Sequence, residues 1–376
     1  MKNYLPSFVA CLCWLFTINV SAQTGIPRII INSMGHSAKV QNLSFTPDGE
    51  KIITVSEDKT ARVWNFNTGE MLKKYESQIG DGFDGMLYAS AVSPDGKWLA
   101  IGGLTPTKDN QVYIAVIDLA KNLQVSTIVG HTDVVNSLAF SGDGKYLLSC
   151  SDDGNVKVWS TKTVQFEMTA NIPAGGPAKY MAVNPVTNDV AVVVEGKSEI
   201  QVYNLVGVDK GAVKTTPRLF KKHRGEVNKL AYAADGSFLA SSSFSKELIL
   251  WRADGSVVKD FSVENNINAI AFSPDAKIMV ALDERGKGMS YGLPSGNKFT
   301  DFSGHDNTVF AAAFCPTENG NYVVASAGGN NNEIYLWNPI NGKTIRKIRG
   351  KGSAIQDIEF GAGLELFIST QVNGKP

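Results

Sequence analysis

Reactive side chains are scarce in this sequence of 376 residues, which has only four histidines and four cysteines. Charge is balanced, with 36 Lys plus Arg against 36 Asp plus Glu, and no basic run breaks the balance. That removes the clustered positive face that nucleic-acid binding requires. Beyond the N-terminus no segment reaches the roughly 18 apolar residues of a membrane-span candidate. A phosphate-cradling loop is also missing. Gly102-Gly103 is too short, and Gly328-Gly329 runs into Asn rather than Lys followed by Ser or Thr.

The N-terminus reads as a secretory signal over 1–22. Lys2 is the positive start, Phe8 to Ile18 the apolar run, and Val20-Ser21-Ala22 a small-residue cleavage site before Gln23. The expectation is an exported protein, periplasmic or extracellular, from a bacterium. Removing the signal takes Cys11 and Cys13 with it. Cys150 and Cys315 then fall in strands of distant repeats, so both are expected to be buried and unlinked.

What the chain has in quantity is repetition. Gly130 to Trp159 reads GHTDVVNSLAFSGDGKYLLSCSDDGNVKVW: three short alternating apolar runs joined by Asp/Gly turns. This is the pattern of an antiparallel meander. His36, His131, His223 and His305 are each followed at the fourth residue by Val. Trp64, Trp159 and Trp251 lie 28 residues after their His, and Trp337 lies 32 after His305. First-strand markers at Val40, Leu87, Val135, Ala178, Val227, Ile267, Val309 and Ile355 are spaced by 40 to 49 residues. Such a period with four strands per unit predicts a propeller. The expected fold is all-β: a seven-bladed β-propeller of four-stranded antiparallel blades over 27–349. The start of a further blade or second propeller, truncated, is expected at 350–376.

These residues resemble the WD40 repeat family over most of the chain. The resemblance implies a hydrogen-bonded tetrad of His, Ser or Thr, Asp and Trp in each full copy. Two copies carry it whole: His36, Ser56, Asp58, Trp64 and His131, Ser151, Asp153, Trp159. Ser245 and Asn331 take the turn position in copies five and seven, and Ile117, Tyr203 and Tyr291 replace Trp in the even copies, which also lack the His. Pro27–Asn32 is expected to close the ring by completing the last blade. Lys343–Arg349 would then open a second ring, in a chain that is a fragment of a longer product.

Elaborated loops mark the candidate binding surface. Copy two enters through a Gly-rich loop with Asp81, Phe83 and Asp84, and its second loop carries Lys108 and Asp109. Copy seven has an extended loop with Asn330 and Asn331. In the family's arrangement all of these project from one face, and blades seven, one and two are neighbours. Phe83 on this loop suits an anchor for a protein partner; the alternative is that it tucks under its own loop and the Asp residues only make turns. The acidic pair lacks the ligand spacing and downstream Glu of a calcium loop.

Catalysis would need spare groups, and all four histidines are absorbed by the repeat. No catalytic residue, metal or cofactor is assigned. The expected function is a non-catalytic scaffold for a protein partner. Two alternatives are kept. One is a recognition or regulatory propeller of a larger enzyme, such as the caspase-like peptidases whose WD40 arrays this chain resembles, with the catalytic domain beyond residue 376. The other is a peptide or glycan receptor that uses the central channel.

Overall fold

The computed structural model describes residues 35–77, 81–208, 216–316, 322–329 and 332–348, and the strand backbones of 355–360 and 366–370. Short alternating strands cannot bury two faces alone, so they stack as repeated sheets. Blade one consists of β1 (Val40–Phe45), β2 (Lys51–Ser56), β3 (Thr60–Asn65) and β4 (Met71–Glu76), paired in chain order. Blade two follows with β5 (Leu87–Val92), β6 (Trp98–Gly103), β7 (Val112–Asp118) and β8 (Leu123–His131). Five more antiparallel four-stranded blades span 135–173, 178–221, 227–262, 267–302 and 309–348. The first strand of each blade contacts the first strand of the next, and β1 contacts that of blade seven, which closes the ring. The fold is a seven-bladed β-propeller.

One turn recurs because its chemistry is local. Ser93, Ser141 and Ser273 each donate their hydroxyl to the Asp two residues on, and Thr46 does the same to Asp48. The residue after that Asp is Gly49, Gly96, Gly144 or Ala276, each at positive φ. Such Ser-x-Asp-Gly turns set the register of the first hairpin. Between blades, the cores are apolar: Val40, Leu43 and Trp64 of blade one pack with Ala325, Leu336 and Ile348 of blade seven.

The closing strand differs from expectation. Thr344–Ile348 pairs with Glu333–Trp337 and is the fourth strand of blade seven. Ile348 is buried there, and Arg346 donates to the Phe66 carbonyl of blade one at 3.1 Å. A chain that turns at Asn338–Lys343 reaches this position by a short hairpin, so the edge is taken locally. Pro27–Asn32 and the secretory segment lie outside the described residues. Ile355–Phe360 and Leu366–Thr370 pair as an antiparallel hairpin. Cys150 and Cys315 are buried and form no disulfide.

Candidate functional site: tetrads and the loop-bearing face

The odd blades carry a polar relay inside an apolar wall. In blade one the Trp64 indole N–H donates to Thr54 Oγ1 at 2.9 Å. Thr54 Oγ1 lies 2.7 Å from His36 Nε2, and His36 Nδ1 lies 2.8 Å from Asp58. Blade three repeats the relay through Ser149, at 2.9, 2.8 and 2.7 Å to Trp159, His131 and between His131 and Asp153. Each hydroxyl accepts from indole and donates to imidazole, which fits a neutral ring whose Nδ1–H faces the carboxylate. Gly130 is required before His131, because a Cβ there would meet the Trp159 ring at 2.7 Å.

This corrects the hydroxyl member. Thr54 and Ser149 complete the relays, not Ser56 and Ser151. Ser56 instead donates to the Ala38 carbonyl and accepts from the Asp58 N–H, and Ser151 does the same with Asp133 and Asp153. Residues two apart on a strand share a face. The indole reaches the inner of the two hydroxyls, and the outer one ties down the turn.

Blade five keeps the relay with a different acid. His223 Nε2 lies 2.6 Å from Ser241 Oγ, and Trp251 donates to the same oxygen at 2.7 Å. Glu247 supplies the carboxylate at 3.2 Å from His223 Nδ1, held by the Arg224 N–H, its guanidinium and Ser243. Ser245 therefore does not hold the acidic role. The longer Glu side chain reaches back from the third strand instead. Blade seven joins His305 and Trp337 through Ser326 at 2.8 and 3.1 Å. Asn330 and Asn331 lie outside the described residues.

Electrostatics follow from burial. Burial lowers the pKa of all four imidazoles, partly opposed in His36, His131 and His223 by the facing carboxylates; His305 is pushed down to about 4. Burial works to raise Asp58, Asp153 and Glu247. The hydrogen bonds they accept outweigh it and hold each at about 2. The relay is thus a neutral ring against an anion, a structural device with no reacting atom exposed. Among the described residues no group of three or more His, Cys, Asp or Glu side chains is arranged to hold a metal.

The loop-bearing face is elaborated at blade two. Phe83 is 70% exposed, with Asp81, Lys108 and Asp109 also exposed and Asp84 half-exposed. The two loops meet: the Gly85 N–H donates to the Leu104 carbonyl at 2.6 Å, and the Leu104 N–H to the Met86 carbonyl at 2.9 Å. The Phe83 backbone is held within its own loop, its carbonyl accepting from the Met86 N–H at 3.1 Å. The copy-seven loop residues Asn330 and Asn331 cannot be added to this surface, since they are not among those described. The sequence offered no sign of a cleft between β4 and β7–β8, of ≈250 Å³ and lined in part by Tyr75, Ile101, Thr105 and Ile117.

Fold and relays together define a class, the seven-bladed propeller with buried Trp–hydroxyl–His networks in alternate blades, closed by a carboxylate in blades one, three and five. The WD domain, G-beta repeat model matches residues 29–65, 122–160, 214–252 and 296–338, so this is a propeller built on WD40 repeats. Each match ends at or just past Trp64, Trp159, Trp251 or Trp337. The chain is similar to rat apoptotic protease-activating factor 1, 21% identical over 90% of this chain and 29% of that protein. It is similar to the maize guanine nucleotide-binding protein subunit beta, 25% identical over 65% of this chain and 64% of that protein. The fission-yeast target of rapamycin complex subunit wat1 is 25% identical over 61% of this chain and 71% of that protein. The chain therefore spans less than two thirds of the first two relatives.

Proposed function

We propose that this propeller is a non-catalytic scaffold that holds a protein partner on its loop-bearing face, centred on blade two. The observation that carries the reading is Phe83, a large apolar side chain 70% exposed on a loop that the neighbouring loop braces. An aromatic held out in this way gives contact area at little cost in ordering. Asp81, Asp84, Lys108 and Asp109 add exposed or half-exposed polar groups on the same two loops. Two of the relatives are, by name, subunits of larger assemblies. The relays use all four histidines for stability, which leaves the face free for contact rather than chemistry.

A cross-linked pull-down from extracts of the native organism tests it. Phe83→Ala combined with Asp81→Ala should cut partner capture while moving the melting temperature by less than a few degrees. An equal loss of stability would make the loop a structural element and sink the reading. Export is part of the proposal: N-terminal sequencing of the native protein should begin at Gln23.

A second reading has one observation in its favour. The relative that covers 90% of this chain is named as a protease-activating factor. A recognition module for a larger enzyme is consistent with that likeness. The intact mass of the native protein separates the two: a mass near that of 23–376 leaves the scaffold alone, and a much larger one moves catalysis to a further domain.

A further inference from the structure

We infer that the cleft between blades one and two receives an aromatic side chain presented by an acidic, extended segment of a protein partner. The inference rests on the interaction reading above and assigns it a pocket. The cleft is the relay cavity of blade two, emptied. Counted along the strand registers, Ile101 stands where Thr54 does in blade one, Ala115 where Arg62 does and Ile117 where Trp64 does. Thr105 follows Gly103 as Asp58 follows Ser56, and Phe83 precedes Leu87 by the four residues that separate His36 from Val40. Every member of the relay is replaced, and the residue at the His position points outward. Blades four and six also lack the relay, but Tyr203 and Tyr291 fill the Trp position with a buried ring. Blade two has only Ile117.

The facing wall responds to the vacancy. On the fourth strand of each blade one residue faces the next blade's Trp position: Tyr75, Ile128, Ile172, Phe220, Phe261, Phe302 and Ile348 in order. Six of these are buried, and Tyr75 alone is not. Its ring forms a wall of the cleft, and its hydroxyl donates to Asn122 Oδ1 at 3.2 Å. The opposite wall is aliphatic: Leu87, Ile101 and Ile117. An apolar cavity of about 150 Å³ suffices to take up benzene, so ≈250 Å³ admits an aromatic side chain.

Charge and strand edge choose the carrier. Lys73 and Lys74 stand at the rim. Lys74 is engaged by Glu76 at 2.5 Å, whereas Lys73 Nζ lies over the Tyr75 ring at 5.8 Å, with no carboxylate in ion-pair reach among the described residues. A carboxylate next to the inserted ring would meet Lys73. β4 is the outer strand of its sheet, with a strand partner on one side only. A free strand edge beside a side-chain pocket suits an extended peptide.

The test uses acetyl-Glu-Trp-Glu-amide against the intact protein, read by methyl NMR. Saturable shifts are expected at Leu87, Ile101 and Ile117, with acetyl-Glu-Ala-Glu-amide at least tenfold weaker. Lys73→Glu should weaken binding at least threefold. Ile117→Trp, which refills the cavity, should abolish it with the melting temperature at or above wild type; Ala115→Leu serves if that variant does not fold. No shift at millimolar peptide overturns the inference. So do shifts unchanged by refilling, or shifts produced by N-acetylglucosamine oligomers and not by the peptide. Partner capture separates the two readings. Capture that needs Phe83 but ignores Ile117→Trp removes the cleft and leaves the scaffold, and capture that ignores both removes the scaffold on this face.

Discussion

Blades two and three share one backbone register and differ in what fills it. Blade three sets His131, Ser149, Asp153 and Trp159 in the space between sheets, every member hydrogen-bonded. Blade two puts Ile101, Thr105 and Ile117 at the matching positions and leaves a cleft. The ring closes with both kinds of blade. Strand pairing and apolar contact therefore suffice to place a blade, and the relay adds stiffness where it occurs. A fully satisfied buried network fixes its members in one arrangement, whereas a blade without one can lend its interior to a ligand.

The largest contrast should come from the rings. Trp159→Ala in blade three removes a side chain that is 3% exposed and takes from Ser149 Oγ the N–H it accepts, leaving only its bond to His131. It should cost about 3–5 kcal/mol in denaturant unfolding. Ile117→Ala in blade two should cost about 2 kcal/mol, the low end for an aliphatic truncation, since the wall it leaves already borders open space. Equal costs would mean that the relay and cleft blades are packed alike.

Removing the acid should come next. Asp153 accepts from His131 Nδ1–H and the Thr132 N–H in a nearly buried site. Asp153→Ala should destabilise by about 1–3 kcal/mol, the cost of stranding buried donors. An unchanged midpoint would show that the bond from His131 contributes nothing.

Acid should loosen the odd blades first. The imidazoles have folded pKa values below the unfolded 6.5, so the unfolded chain binds protons first as pH falls. Their contribution is complete above about pH 6.5 and is lost as pH drops toward the folded values, about 4 for His305. Asp58, Asp153 and Glu247 act lower: their contribution is complete above the unfolded carboxylate range near pH 4 and is lost toward pH 2. Hydrogen exchange at pH 7, 5 and 3 should show protection at Trp159 and Trp251 falling before that at Tyr203. The reverse order would break the comparison.

The propeller was legible because its signals are periodic. The His-to-Val and His-to-Trp spacings and the Asp/Gly turns recur at one interval, and each is a local property of the chain. The relay was legible only in outline. Thr54 and Ser56 lie on one strand face, and only the pairing of Ile52 with Trp64 across the next strand shows which of them the indole meets. Glu247 lies off the turn altogether and reaches His223 by its extra methylene, which no spacing rule anticipates. The cleft was invisible because it consists of substitutions scattered over Phe83 to Ile117 that become neighbours only in the folded blade. The Gly-rich loop left Phe83 open between an exposed anchor and a ring tucked under its own loop, and its coincidence with the vacant His position needed the register.

Blade four sharpens the comparison at its small end. Tyr203 fills the Trp position with a ring 2% exposed, and its hydroxyl donates to Gln201 Oε1 at 2.5 Å on the same strand. No His or carboxylate relay depends on it. Tyr203→Phe keeps the ring and loses one bond between neighbours, so the expected cost is about 0.5–1.5 kcal/mol, the net worth of a single hydrogen bond. The Asp153→Ala change in blade three removes an anion on which His131, the Thr132 N–H and both the backbone and side-chain N–H of Asn155 depend, and should cost more. If Tyr203→Phe cost as much, the hydroxyl would be a polar anchor equal to the relay, and packing alone would no longer account for the even blades.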